Sequence, residues 1–310
     1  MGLFLVSSLL MVWRLECMGR RGFGGTALGT LVMPYCSGLG NLIFVVVVGK
    51  GHGSGADVLV NSLVNNVTNL TLLLGLPAVF WGMTVVDQKC RRKKEVEFQQ
   101  INRLSLILTI AAVLFFSGAA WALAQDGVLD FGDGLVLIGL FVFWQAFQVF
   151  DVLKTNLSKK QALSRWLLLD IALLMMGAIG LYVSIEWLVE WLSGLRSGFI
   201  SADQLGWLSG WLMVLPNALL ALYYGWKRRA DVVYSSQVGD GHICIPLCIG
   251  LSALYHSIKV PEFFSFALIL LSVVAVVHVV LIGLWGRLPR WMGGVLILGY
   301  GVFIYKGLIA

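Results

Sequence analysis

The sequence contains few charged residues. Asp, Glu, Lys and Arg together make up 12% of its 310 residues, about half the share found in an average soluble globular domain. Hydrophobic residues make up 59%, and the mean hydropathy is +0.88. This scarcity of charge excludes a soluble globular fold. It predicts an integral membrane protein of the all-α class, because apolar runs of about 20 residues cross a bilayer as helices.

The sequence also lacks a paired set of cysteines and any catalytic motif. The cysteine count is odd, and most of these residues lie in apolar runs or in loops assigned below to the cytoplasm: Cys17, Cys36, Cys90, Cys244 and Cys248. Such a set predicts no disulfide framework. The chain has no nucleophile placed beside a base and no phosphate-binding loop, so we predict neither an enzyme nor a cofactor.

Ten apolar runs predict ten membrane spans. They lie at residues 2–13, 27–49, 57–81, 103–124, 133–153, 166–190, 205–225, 231–256, 262–285 and 291–309. The first run is short, and a cleaved signal peptide is the alternative there. That run lacks a basic segment before it, and arginines follow it instead, which favours a real span.

The positive charge is distributed unequally between the two sides of these spans. Loops after odd-numbered spans contain 18 Lys and Arg residues, and loops after even-numbered spans contain 3. Since loops rich in Lys and Arg stay in the cytoplasm, both termini are predicted outside, in a multi-pass protein of the cell membrane. The net charge of +6 is explained by this topology, so no nucleic-acid partner is predicted and the lipid bilayer is the expected surrounding.

Two blocks of the sequence repeat each other. Leu39-Gly40-Asn41 is followed by Ala56-Asp57-Val58 and then by Leu74-Gly75-Leu76. Leu215-Pro216-Asn217 is followed at nearly the same spacing by Ala230-Asp231-Val232 and then by Ile249-Gly250-Leu251. The blocks occupy spans 2 and 3 and spans 7 and 8, so five spans separate each element from its counterpart. An odd offset reverses direction through the membrane and predicts an inverted repeat.

Each block also presents a polar stripe. Asn61, Asn65 and Asn69 recur at every fourth position, and Thr68 falls in the same sector of the helix. Ser236, Asp240 and Cys244 have the same spacing in the second block. Neutral amides inside a membrane can simply join helices through hydrogen bonds. An ionisable residue at this depth, in contrast, favours a functional site, and Asp240 is flanked by Gly239 and Gly241.

These blocks resemble the sodium/calcium exchanger superfamily of cation antiporters. Its members carry two inverted repeats, each with a G-T-S-L-P-E type motif on one helix and a G-N-x-x-G-S-N-I-x-N motif on the next. Ten spans with external termini match its simpler prokaryotic members. The resemblance is concentrated in residues 24–80 and 205–256, and it implies two five-helix repeats over residues 1–153 and 154–310.

The resemblance implies a cation site with an unusual composition. Asn217 stands where the family has the Glu of L-P-E, and Asn41 stands at the same place in the first copy. Both of the family's paired glutamates, its main cation ligands, are therefore Asn. Residues 61–69 lie on the second motif and keep its first and last Asn, whereas residues 236–244 keep little besides the inner Gly. The implied cation-binding residues are Asn41, Asn65, Thr68, Asn69, Asn217, Ser236 and Asp240.

The change from glutamate to asparagine predicts an altered ion preference. Calcium sites use six to eight oxygens and rely on carboxylates to offset the desolvation of a divalent ion. Replacing two carboxylates by amides keeps the oxygens and removes two negative charges, so calcium is expected to bind poorly. The family resemblance implies secondary antiport in which spans 1 and 6 rock against spans 2, 3, 7 and 8. The transported ion is left open among Na, Ca, K and H, as is the oligomeric state.

The amino-acid sequence leaves three alternatives open. The chain can be a degenerate homologue that no longer transports and serves as a membrane scaffold or regulatory subunit. Asp240 can be a carboxyl that only packs, either protonated or paired with His242. His242, Cys244 and Cys248 can form a soft-metal site. Other acidic residues in span 6, Asp170, Glu186 and Glu190, are expected at interfaces or in ion pairs.

Overall fold

The computed structural model describes residues 2–20, 33–51, 53–86, 93–156, 167–195 and 202–309. Its helices follow the predicted spans in order, and the span numbers are kept here. Spans 1, 2, 4, 5, 6 and 7 are Gly2–Arg20, Met33–Gly49, Lys93–Leu123, Phe131–Asn156, Leu167–Ser193 and Leu205–Trp226. Span 3 consists of Gly55–Leu70 and Leu72–Trp81. Span 8 consists of Ala230–Gly239, Gly241–Ile243, a π-helical turn Cys244–Cys248, and Ile249–Tyr255. Spans 9 and 10 are Phe264–Val280 and Arg290–Ile304, each continued by a π-helical turn, Leu281–Trp285 and Tyr305–Ile309.

The fold is the predicted all-α polytopic membrane protein. Eight helices in the described ranges are long and apolar enough to cross a membrane, and spans 1 and 2 add the shorter apolar helices Gly2–Arg14 and Gly38–Gly49. The helix of span 1 continues to Arg20, beyond the predicted end at residue 13. In spans 3 and 8, 78% of the most apolar window is buried inside the protein, against 22% in spans 5, 6 and 10. Spans 3 and 8 therefore lie at the centre, while the others present apolar side chains to lipid.

Two short strand ladders relate the halves of the molecule. Strand β1, Met83–Thr84, follows span 3 and pairs antiparallel with β4, Arg287–Leu288, just before span 10. Strand β3, Ile258–Lys259, follows span 8 and pairs antiparallel with β2, Val128–Leu129, just before span 5. A shift of five spans converts the first ladder into the second. This exchange of partners is the arrangement that an inverted repeat of five helices requires.

Glycines at equivalent places allow close backbone contact. A Cβ atom on Gly75 would lie 2.9 Å from the carbonyl oxygen of Gly293, where span 3 packs on span 10. A Cβ atom on Gly134 would lie 2.8 Å from the carbonyl oxygen of Gly250, where span 5 packs on span 8. Gly75 and Gly250 occupy the same position in the two sequence blocks. Small residues at these crossings let the helix backbones touch, as is usual in membrane proteins.

Spans 1 and 6 pack together along the outside of this core. Gly180 makes room for Ser7, whose Oγ would clash with a Cβ atom at that position. Arg14 in span 1 forms a buried ion pair with Asp170 in span 6, with Nη1 and Oδ1 3.3 Å apart. The prediction that Asp170 is a paired residue is therefore confirmed. The contact joins the two helices that the family resemblance treats as one moving unit.

The two central spans are interrupted near their middle. In span 3 the helix breaks at Thr71, whose φ and ψ are −105° and −73°, and Pro77 lies in the helix that follows. In span 8 the first helix ends at Gly239, Asp240 forms a turn, and the π-helical turn contains Pro246. Proline lacks a backbone N–H donor, and a π turn interrupts the regular pattern of backbone hydrogen bonds in an α-helix. Both central spans are therefore irregular where they carry the polar stripes.

Candidate functional site

Asn41 and Asn217 lie at corresponding points of spans 2 and 7, and both side chains are buried. Each follows a residue that loosens the helix, Gly40 in span 2 and Pro216 in span 7. A Cβ atom on Gly40 would lie 2.8 Å from Sδ of Met213, so glycine allows spans 2 and 7 to approach. The two asparagine side chains therefore extend from opposite repeats toward spans 3 and 8.

A continuous chain of hydrogen bonds joins five buried side chains. Asn65 Nδ2 donates to Asn41 Oδ1 at 3.4 Å, and Asn69 Nδ2 donates to Asn65 Oδ1 at 2.9 Å. Asp240 Oδ2 accepts from Asn69 Nδ2 at 3.3 Å and from Asn217 Nδ2 at 2.5 Å. The Asn41–Asn65 and Asn217–Asp240 contacts are equivalent under the repeat. Five of the seven candidate residues are thus brought together, with the carboxylate between Asn69 of the first repeat and Asn217 of the second.

Two buried carbonyl oxygens in this region have no hydrogen-bond partner among the described residues. They are Asn69 Oδ1 and Gln237 Oε1. Gln237 is fully buried, and its Nε2 donates to the backbone oxygen of Asn217 at 3.2 Å. Buried acceptors are normally paired, so these oxygens are suited to a ligand that accepts lone pairs, such as a cation. Gln237 is absent from the predicted site, although its position three residues before Asp240 puts both on one helix face.

Thr68 and Ser236 lie beside the hydrogen-bonded chain rather than in it. Thr68 Oγ1 is 2.6 Å from the backbone oxygen of Val64 and 3.2 Å from the hydroxyl of Tyr300 in span 10. That hydroxyl also accepts from Trp211 Nε1 at 2.9 Å. Ser236 Oγ donates to the Val233 carbonyl at 3.0 Å and accepts from Gln237 Nε2 at 2.9 Å. Thr68 therefore ties span 10 to the core, and Ser236 holds the Gln237 amide.

His242 does not pair with Asp240. Both of its buried ring nitrogens lack a hydrogen-bond partner among the described residues, and the ring packs edge-on against Trp144 with centroids 6.5 Å apart. The alternative of a His242-paired carboxyl is therefore wrong, since Asp240 is bound by amide donors. Cys244 and Cys248 are buried nearby. Across the described ranges, no three His, Cys, Asp or Glu side chains are grouped to hold a metal ion.

His278 in span 9 supports the break in span 3. Its Nε2 is 2.9 Å from the carbonyl oxygen of Leu70, the last residue before the break, and its Nδ1 is 3.0 Å from the hydroxyl of Tyr234 in span 8. A carbonyl only accepts, so Nε2 carries the proton and Nδ1 accepts from Tyr234. A carbonyl at a helix end has no partner within its own helix. His278 supplies that partner next to Asn69, and the motifs of spans 3 and 8 give no signal for it.

A small cavity reaches the site from the side of spans 1 and 6. Its volume is about 10 Å³, enough for roughly one water molecule. Its lining residues come from four spans: Phe4, Ser8, Val12, Gly40, Leu181, Met213, Pro216 and Asn217. The cavity thus lies between the outer pair of spans and the core, at the level of Asn217. It is the space that a movement of spans 1 and 6 would enlarge.

The comparison with protein families decides where the chain belongs. The family model described as "Sodium/calcium exchanger protein" matches residues 1–150 and 169–306. The chain belongs to the sodium/calcium exchanger family. The predicted membership is confirmed, and with it the class of multi-pass membrane transporters. No curated protein matches the sequence.

Solved structures of one exchanger match the fold over almost the whole chain. The sodium-calcium exchanger NCX_Mj soaked with 2.5 mM Na+ and 10 mM Sr2+ has a TM-score of 0.69 and 18% sequence identity, covering 99% of this chain and 95% of that chain. The same protein soaked with 10 mM Na+ and zero Ca2+ has a TM-score of 0.68 and 17% identity, with the same coverage. Soaked with zero Na+ and Ca2+, it has a TM-score of 0.67 and 18% identity. The similarity extends through both repeats.

Proposed function

We propose that this exchanger carries out secondary antiport of a monovalent cation, with calcium a poor substrate. The observation that carries the proposal is the composition of the buried hydrogen-bonded chain, which contains four amides, Asn41, Asn65, Asn69 and Asn217, and one carboxylate, Asp240. Amide oxygens coordinate a cation without neutralising it. One carboxylate balances one positive charge, so the site suits Na+, K+ or a proton.

The Coulomb energy supports this selectivity. Two unit charges 4 Å apart interact by about 4 kcal/mol at an effective dielectric constant of 20. A divalent ion loses much more hydration free energy than a monovalent ion of similar size. The hydrogen-bonded chain contains a single carboxylate, which is enough to compensate a monovalent ion but too little for a divalent one. Titration of Asp240 would also let a proton act as the exchanged ion. The unpaired oxygens Asn69 Oδ1 and Gln237 Oε1 supply further neutral ligands.

Flux measurements in vesicles test the proposal. The purified protein is reconstituted with imposed gradients of Na+, K+, Ca2+ or H+, and uptake of each ion is followed. We expect exchange involving Na+, K+ or H+ and little Ca2+ uptake. Asp240→Asn should abolish the exchange, whereas Asp231→Asn, which removes a half-exposed carboxylate paired with Arg229, should not.

Two outcomes would overturn the proposal. Calcium uptake with high affinity would refute the charge argument. No flux of any ion, with the protein monodisperse and the vesicles sealed, would instead support a scaffold or regulatory subunit. The missing family glutamates favour that second candidate, and it predicts that Asp240→Asn has no effect on any flux.

The topology is proposed together with the function. The excess of Lys and Arg in loops after odd-numbered spans supports a topology with those loops in the cytoplasm and both termini outside the cell. The proposed repeat boundary falls between residues 153 and 154. A cysteine introduced at residue 2 or 309, in a variant without its native cysteines, should react with a membrane-impermeant maleimide in intact cells. A cysteine at position 228 should react only after the membrane is opened.

A further inference from the structure

An open groove lies where span 3 ends and span 10 begins. Its volume is about 530 Å³, and its base is the ladder of β1 and β4. Two arginines and two tryptophans line it, Arg287, Arg290, Trp285 and Trp291. The groove lies at the C-terminal end of span 3 and the N-terminal end of span 10, away from the buried chain of hydrogen-bonded amides. The charge bias of the loops assigns this end of the molecule to the cytoplasm.

Both arginines present their charge to the groove. Arg287 and Arg290 are exposed, and neither forms an ion pair with a carboxylate in the described part of the chain. Gly82, with φ at +71°, turns the chain after span 3, and a Cβ atom there would lie 3.8 Å from Arg290 Nε. A guanidinium group matches the geometry of a phosphate because two of its N–H groups bind two oxygens together. Two such groups in one concavity therefore match the chemistry of a phosphate ligand.

The two tryptophans favour a lipid over a soluble phosphate compound as the ligand of this groove. Trp285 and Trp291 are 49% and 62% exposed, and tryptophan prefers the headgroup level of a bilayer. Directly along spans 9 and 10, Leu284 and Leu298 are 74% and 72% exposed. These apolar side chains continue from the groove toward the membrane interior. A ligand with a charged head and long acyl chains fits both surfaces at once.

The opposite ladder shows that the fold does not require this chemistry. The ladder of β2 and β3 repeats the geometry, and Gly127 before β2 has positive φ like Gly286 before β4. The residues beside β2 are Asp126, Asp130 and Phe131 instead of arginine and tryptophan. The same backbone arrangement therefore occurs twice, with acidic side chains beside the ladder of β2 and β3 and basic side chains beside the ladder of β1 and β4. The basic groove is a property of one end only.

We propose that this groove binds the headgroup of an anionic phospholipid. Arg287 and Arg290 bind the phosphate oxygens, Trp285 and Trp291 lie beside the glycerol, and the acyl chains follow spans 9 and 10. An anionic lipid is favoured over a zwitterionic one because the cationic group of the latter would face the two guanidinium groups. The lipid would thereby hold together the end of span 3 and the start of span 10.

Binding of defined lipids to the purified full-length protein tests this assignment without any transport measurement. Phosphatidylglycerol and phosphatidylcholine with identical acyl chains are titrated into the protein in a neutral detergent, and bound lipid is measured by native mass spectrometry. The test variant is Arg287→Gln with Arg290→Gln. Its control is Lys227→Gln with Arg228→Gln, which removes two exposed charges from another loop assigned to the same face. Arg287→Lys with Arg290→Lys keeps the charge and loses the paired N–H geometry.

We expect phosphatidylglycerol to bind about 30-fold more weakly to the glutamine test variant, which corresponds to about 1 kcal/mol for each arginine. The control should stay within about threefold of the unmodified protein, and the lysine variant should fall between them. Equal weakening in the test and control variants would overturn the proposal, since it would show only the general charge of that face. Equal affinity for the two lipids, or displacement of the lipid by inorganic phosphate at matched phosphate concentration, would also overturn it.

Discussion

Asn69 in the first repeat donates a hydrogen bond to Asp240 in the second, with Nδ2 and Oδ2 3.3 Å apart. The same carboxylate oxygen accepts from Asn217 of its own repeat. Because Asn69 is also bonded to Asn65, and Asn65 to Asn41, the carboxylate of span 8 is linked by hydrogen bonds to amides in spans 2, 3 and 7, so its protonation or ligation affects all four central spans. The five side chains therefore form one hydrogen-bonded network, and a change at any of them is expected to affect the others.

Restoring the family's glutamates should restore calcium binding. The double variant Asn41→Glu with Asn217→Glu adds two negative charges to the hydrogen-bonded chain that contains Asp240. We expect calcium affinity to rise at least about tenfold, since each added charge attracts a divalent ion by several kcal/mol at an effective dielectric constant of 20. Calcium uptake into vesicles measures the effect. Asn41→Gln with Asn217→Gln has the same side-chain length without the charge, and a gain in that control would contradict the electrostatic explanation.

Removing the His278 side chain should loosen the break in span 3. His278→Leu leaves the Leu70 carbonyl and the Tyr234 hydroxyl buried without this partner, and each lost partner costs about 1–3 kcal/mol. We expect a lower thermal unfolding temperature in detergent and a raised KM for the transported ion. His278→Gln keeps one N–H donor and should recover part of both. If glutamine and leucine behave alike, the histidine acts through its volume and not through its hydrogen bonds.

Alanine at the glycine crossings should destabilise the protein at two equivalent places. At Gly75 and Gly134 a Cβ atom would meet a backbone carbonyl oxygen at 2.9 and 2.8 Å, which cannot move aside like a side chain. We expect Gly75→Ala and Gly134→Ala each to lower the free energy of unfolding by about 1–3 kcal/mol. Gly118→Ala is the matched control, because nothing lies within 4 Å of a Cβ atom there. Equal unfolding temperatures for all three variants would argue against the contact.

Breaking the ion pair between spans 1 and 6 should cost more than removing it entirely. Arg14→Gln or Asp170→Asn alone leaves one charge in a buried place, at a cost of about 3–5 kcal/mol. The double variant removes both charges and should be markedly more stable than either single variant. Unfolding in detergent gives the three values. Additive losses in the double variant would mean that the two residues act independently.

The sequence predicts the centre of the site better than its surroundings. Asn41, Asn65, Asn69, Asn217 and Asp240 can be found because the repeat places them at matching positions on matching helices. Thr68 shares their helix sector, yet its hydroxyl turns to Tyr300, because a sector about 100° wide faces more than one neighbour. His278 and Tyr300 lie in spans 9 and 10, outside both motifs. Their roles arise from contacts between distant spans, which spacing along one helix does not reveal.

The order and number of the spans can likewise be predicted, because each apolar run is long enough to cross a bilayer. The ends of the helices are less predictable, as span 1 shows by continuing to Arg20. Charged residues at a membrane surface extend a helix without adding to its apolar run. Hydropathy therefore marks where a helix is buried in lipid, and the helix itself continues to the point where its backbone turns.

The two glycine crossings have a consequence for how the chain assembles. Span 10 fits its backbone against span 3, and span 5 fits against span 8, so in each proposed five-span repeat the fifth helix packs against the third helix of the other repeat. The arrangement resembles a domain-swapped, antiparallel dimer whose two subunits are joined in one polypeptide. Two separately expressed halves should therefore be degraded when made alone and accumulate together only when both are inserted with opposite orientations.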